Sequence, residues 1–82
     1  MQYKIRFKPR ALKDGKKIPK QEPLRIFEKI KELENGLSGD VKRLTDFYPE
    51  YRLRVGNYRV LFEVEGRHLV IYRIRHRKDV YR

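Results

Sequence analysis

The chain has no cysteine, which removes disulfide frameworks and thiolate chemistry together. Two histidines without a single thiol leave a structural zinc site short of ligands. No apolar run approaches the length of a membrane span. Lys4, Arg6 and Lys8 interrupt the N-terminal stretch, so a signal peptide is not expected and a cytoplasmic protein without membrane contact is. Repeats, linkers and low-complexity segments are missing too. Residues 1–82 therefore read as one small domain with a thin core. Acidic residues are scarce: 11 stand against 22 lysines and arginines, a formal charge of +11. So much positive charge in a small body repels itself unless a partner neutralises it. Nucleic acid, an acidic protein, or both are the expected partners. The basic residues are not gathered on one amphipathic helix, which disfavours a membrane surface.

Along the chain, Tyr3, Ile5 and Phe7 alternate with polar residues and predict a half-buried strand ended by Pro9. A short helix is expected over 10–17, weakened by Gly15 and stopped by Pro19. The strongest helix signal follows. Pro23 suits a first turn, Gly36 suits the residue past the end, and Leu24, Ile26, Phe27, Ile30, Leu33 and Leu37 form an apolar stripe expected to pack on a sheet. Residues 38–50 read as a connector pinned by Leu44, Phe47 and Tyr48, with Tyr48 and Tyr51 expected in the core.

Three strands come next, at about 51–55, 58–64 and 69–75. Gly56-Asn57 predicts a two-residue hairpin, which sets Val55 opposite Tyr58, Leu53 opposite Val60 and Arg54 opposite Arg59. Arg52, Arg54 and Arg59 then share one face, because alternate strand residues point the same way. Like charges opposite one another destabilise a sheet, so a chain that keeps them has a use for them on an anion. A solvated outer face is the competing explanation. The second hairpin is ambiguous. A three-residue loop places Arg73 and Arg75 on the arginine face, whereas a two-residue loop places Val70, Tyr72 and Ile74 there. The order strand, helices, three strands predicts an α+β fold: a small twisted antiparallel sheet of about four strands, with one or two helices from the N-terminal half on one face.

The run Tyr51-Arg52-Leu53-Arg54-Val55-Gly56-Asn57-Tyr58-Arg59-Val60, followed by His76-Arg77-Lys78-Asp79-Val80-Tyr81, resembles the RelE/ParE superfamily of toxins, and the RelE side most. The resemblance spans essentially the whole chain and implies a RelE-like fold. It implies the toxin of a type II toxin–antitoxin system: a ribosome-dependent, metal-independent endoribonuclease that cuts mRNA in the A site of the 70S ribosome. A cognate antitoxin is the implied protein partner, and no cofactor or metal is implied. Such cleavage uses the ribose 2′-hydroxyl against the adjacent phosphate and needs cations, an acid and a base.

By resemblance, Arg59 matches the phosphate-binding arginine, Arg77 an arginine near the C-terminal end, and Tyr81 the terminal aromatic. Some RelE toxins carry lysine at the positions of Arg52 and Arg54. Arginine stays protonated, so these two are expected to stabilise charge, leaving His76 or Tyr81 to move a proton. Arg73, Arg75 and Lys78 are expected to bind RNA. Two other functions fit the same residues: a ParE-like inhibitor of DNA gyrase without nuclease activity, and a plain RNA-binding module.

Overall fold

The computed structural model describes residues 2–19 and 23–79. Strand β1 (Lys4–Phe7) leads into helix α1 (Pro9–Lys17), then helix α2 (Pro23–Glu32). Strands β2 (Val41–Arg43), β3 (Tyr51–Val55), β4 (Tyr58–Glu65) and β5 (His68–His76) complete one sheet in the order β1-β5-β4-β3-β2. Two features differ from the expectation. The sheet has five strands among the described residues, because the connector contributes β2. It is also mixed, since β1 runs parallel to β5. The three residues of β2 are too few to show an alternating pattern, and pairing with β3 makes them a strand.

Pro9 stands at the start of α1, where a missing N–H costs nothing, and Lys16 and Lys17 lie in its last turn, where cations suit the helix dipole. Gly15 is buried, and a Cβ there would meet Phe27 Cζ at 3.2 Å, so glycine lets α1 approach that ring. Ile26, Ile30 and Leu33 are buried in one cluster with Leu53, Val60, Phe62, Leu69 and Ile71 of the sheet. Leu24, expected in that stripe, is 71% exposed. Burial of the eight core side chains, at about 1.5–3 kcal/mol each, is the main force holding the helices to the sheet.

The Gly56-Asn57 hairpin has the expected register, with Val55 opposite Tyr58, Leu53 opposite Val60 and Arg54 opposite Arg59. Gly56 and Gly66 have φ of 56° and 62°, which their two-residue turns demand. The second hairpin resolves the ambiguity by combining two devices. Glu65 pairs with His68 across a two-residue loop, which would turn Arg73 and Arg75 toward the helices. A bulge then intervenes: Phe62 pairs with Ile71 but Leu61 pairs with Arg73, so Tyr72 is the extra residue. Past it, Arg73 and Arg75 stand opposite Leu61 and Arg59 on the arginine face, and Ile74 returns to the core.

The face away from the helices is not wholly open. Leu61, Val70 and Glu63 are 3%, 7% and 8% exposed, and neither apolar residue belongs to the main core. Leu61 lies between Arg52 and Arg73 in register, flanked by long side chains whose methylene stems suit apolar contact.

Candidate functional site

Strand pairing lines up charged residues across the sheet. Arg54 pairs with Arg59, and Arg59 with Arg75, which sets one guanidinium-bearing residue on each of β3, β4 and β5. Directly paired residues have Cβ atoms about 4.5–5.5 Å apart. At the β2 end the Arg54 N–H donates to the Asp40 carbonyl at 2.9 Å, which adds an acid to the row. The Asp40 carboxylate accepts from Arg54 Nε at 2.6 Å and approaches Arg52 Nη2 at 3.5 Å. The Arg52 side chain is 15% exposed, and its Nε is buried with no acceptor among the described residues. Arg59 Nη1 donates to the carbonyls of Gly56 and Tyr58, both at 2.9 Å. Arg75 Nη1 donates to the Asp79 carbonyl at 2.9 Å, in the turn that follows β5.

The strand register separates His76 from this row. It pairs with Tyr58 on the face that bears the helices, and the two rings meet edge to face at 5.4 Å. His76 Nδ1 accepts from the Lys78 N–H at 3.3 Å. Arg77 and Lys78 are exposed in the turn after β5, where the Arg77 N–H donates to the Asn57 carbonyl. Tyr81 lies outside the described residues.

A hollow of about 480 Å³ sits at the end of β5. Arg73, Arg75, His76, Tyr58, Lys17 and Asp14 line it. Beside it, Asp14 takes Arg73 Nε and Nη2 at 2.8 and 3.0 Å and the Ile74 N–H at 3.0 Å. Burial pulls the Asp14 pKa upward, but hydrogen bonds from Arg73 and Ile74, with the charges of Arg73 and Arg75, leave it below the ordinary value. The same hydrogen bond raises the Arg73 pKa.

Of the nine residues expected in the site, Arg52, Arg54, Arg59, Arg73 and Arg75 share a sheet face, and His76 joins Arg73 and Arg75 only at the hollow. Sequence reasoning missed Asp14 and Asp40, because each acts through a strand pairing or helix placement that no local pattern shows. It also missed Lys17 and Tyr58, although the hairpin register already placed Tyr58 at the sheet's end.

At the far end of the same face, Tyr48 is 67% exposed rather than in the core. Its hydroxyl meets that of Tyr72 at 2.8 Å, while the half-buried Tyr51 stacks on Phe62 and packs against the core. That hydrogen bond, followed by burial and nearby Glu65, pushes the Tyr72 pKa well up. Burial raises the Glu63 pKa, and the charges of Glu50 and Glu65 add to it against a hydrogen bond from the Glu50 N–H. Glu63 and Glu65 thus stand at one end of the face, with Lys4 and Arg6 of β1 in register beside them, and Arg54, Arg59 and Arg75 line up at the other with Asp40. Only the arginine end suits an anion such as a phosphodiester, which guanidinium forks bind through paired N–H groups.

Fold and surface together define an α+β protein that presents an arginine row on the sheet face opposite its helices. The family model of the ParE toxin of type II toxin–antitoxin systems matches residues 5–81. Toxin RelE3 of Methanocaldococcus jannaschii is 36% identical, over 95% of this chain and 94% of its own. The RelB–RelE antitoxin–toxin complex of Methanococcus jannaschii superposes with a TM-score of 0.76 at 35% identity, covering 92% of this chain and 93% of that one. The archaeal RelE–RelB complex of Pyrococcus horikoshii gives a TM-score of 0.77 at 25% identity, covering 98% and 100%. The chain belongs to the RelE/ParE superfamily and is a toxin of the type II toxin–antitoxin class.

Proposed function

We propose that this toxin is a ribosome-dependent endoribonuclease that cuts mRNA in the A site. The observation that carries the reading is the row Arg54, Arg59, Arg75 across three adjacent strands. In the reaction, the 2′-oxygen attacks the neighbouring phosphorus, its proton passes to a base, and the 5′-oxygen leaves with a proton from an acid. The products are a cyclic phosphate and a 5′-hydroxyl. Negative charge grows on the non-bridging oxygens as the phosphorane forms, and fixed cations are worth most there. Arg54, Arg59 and Arg75 supply that charge, with Arg52 behind them. A guanidinium does not give up its proton, so these groups do not serve as the base.

His76 is our choice for proton transfer. It follows Arg75 where β5 ends, so a nucleotide folded over the sheet's end would reach both the row and the imidazole. Tyr81 is the other choice. Arg73, Arg77 and Lys78 would hold flanking phosphates. A cognate antitoxin is the second partner we infer: two relatives were solved as RelE–RelB complexes, and an acidic partner would relieve the +11 charge. One observation favours a rival reading, gyrase inhibition without RNA cleavage: the matching family model is that of the ParE toxin.

Primer extension on ribosome-bound message separates the two. Codon-phased cuts with the wild-type chain, reduced roughly 10²-fold or more in Arg59→Ala, are expected from the loss of one charge-stabilising group. Stalled replication without cuts would favour the rival.

A further inference from the structure

The arginine row ends on an acid whose placement is set by backbone. Asp40 immediately precedes β2, and its carbonyl accepts the Arg54 N–H at 2.9 Å, so it stands directly across from Arg54. Paired residues share a face, which puts its carboxylate on the arginine side. The two oxygens then divide their work: Oδ2 takes Arg54 Nε at 2.6 Å, while Oδ1 turns to Arg52 Nη2 at 3.5 Å. Arg52 and Arg54 are two residues apart on one strand, about 7 Å, so one carboxylate gathers two guanidinium groups.

We propose that Asp40 is the positioning residue of the toxin's phosphate site, holding Arg54 by its Nε edge so that its terminal nitrogens meet the scissile phosphodiester. This rests on the nuclease reading above. Two features support a holding role over a blocking one. First, the bond uses Nε alone, and the two terminal nitrogens of Arg54 are the pair that bind a phosphate bidentately. Second, Arg54 and Arg59 carry like charges in directly paired positions, and repulsion swings an untethered Arg54 side chain, 55% exposed, toward solvent. A carboxylate on the outer side of Arg54 opposes that swing without standing between it and Arg59.

The test is a double-mutant cycle on single-turnover cleavage of ribosome-bound message with Asp40→Ala, Arg54→Ala and the pair. If Asp40 acts through Arg54, Asp40→Ala lowers the maximal rate about tenfold with apparent ribosome affinity changed less than about twofold, and it has no further effect when Arg54 is already alanine. Asp40→Glu restores part of the rate. Additive losses, or faster cutting by Asp40→Ala, overturn the proposal, the second because it marks a carboxylate that competes with phosphate. A second readout needs no activity. The Arg54 Nε–H resonance is protected from solvent exchange in the wild type and loses that protection in Asp40→Ala, whereas the Arg73 Nε–H does not. Unchanged Arg54 protection overturns the proposal even if the wild-type chain cuts no RNA, an outcome that would sink the nuclease reading separately.

Discussion

Asp14 and Arg73 lie 59 positions apart in sequence and are joined by two hydrogen bonds, at 2.8 and 3.0 Å. The same carboxylate takes the N–H of Ile74. Strand β1 pairs with β5 only as far as Ile71, so Asp14 satisfies a backbone donor that the ended strand would otherwise have met. One side chain on α1 therefore closes the edge of β5 and fixes a cation beside the hollow.

Replacing Asp14 by alanine leaves two donor groups short of an acceptor, with the Asp14 and Arg73 side chains only 12% and 23% exposed. A loss of about 2 kcal/mol is expected, below the value for a fully buried pair, and a fall in Tm of about 10 °C. Because the folded-state pKa of Asp14 is depressed, its contribution is fully present above the unfolded value of about 3.9 and is lost as pH falls through the folded value. Urea melts should show a constant gap between wild type and Asp14→Ala from about pH 5 to 8, narrowing as pH falls below the unfolded value.

Glu63 has the opposite sign. Its pKa is raised, so the fold favours the neutral acid. The benefit is present below the unfolded value of about 4.3 and is lost as pH rises through the folded value, leaving the carboxylate a liability at neutrality. Glu63→Gln keeps an oxygen for the Glu50 N–H and removes the charge. It should stabilise the protein near pH 7 and change little near pH 4, as read from chemical denaturation at the two pH values.

The turn that sets the arginine register depends on Gly56. A Cβ added there would meet nothing within 4 Å, so the cost of alanine is conformational, arising from φ of 56°. Gly56→Ala should lose about 1–2 kcal/mol of stability by denaturant titration. A cost near zero would mean that the turn relaxes into another form.

Single-stranded RNA affinity should fall with salt, and each lost phosphate contact should lower the log–log slope by about 0.7. Arg54→Ala, Arg59→Ala and Arg75→Ala are expected to do so. Arg25→Ala, exposed on α2, is expected to leave the slope unchanged. Equal effects from all four would assign binding to net charge alone.

The first arginine hairpin was legible because alternation and Gly56-Asn57 both specify one register, and the two signals agree. The second was not, since the bulge at Tyr72 has no local signature: one extra residue reverses every side chain that follows. Strand β2 stayed hidden because Val41–Arg43 becomes a strand only through pairing with β3. The cations of the site could be read from strand alternation and the family resemblance, but the acids that hold them could not. Asp14 and Asp40 look like ordinary surface residues until α1 is docked and β2 is paired. His76 was read by its neighbours in sequence, yet a strand turns neighbours to opposite faces.

Whether the arginine face drives attack by a ribose hydroxyl is decided by single-turnover cleavage of ribosome-bound message, with the nucleotide at the cut replaced by its 2′-deoxy form. The prediction is a 2′,3′-cyclic phosphate end from the all-ribose message with wild-type toxin, a loss of roughly 10²-fold or more in Arg59→Ala, and no cut at the deoxy position. Unabated cutting of the deoxy message, or wild-type rates from Arg59→Ala, would contradict it.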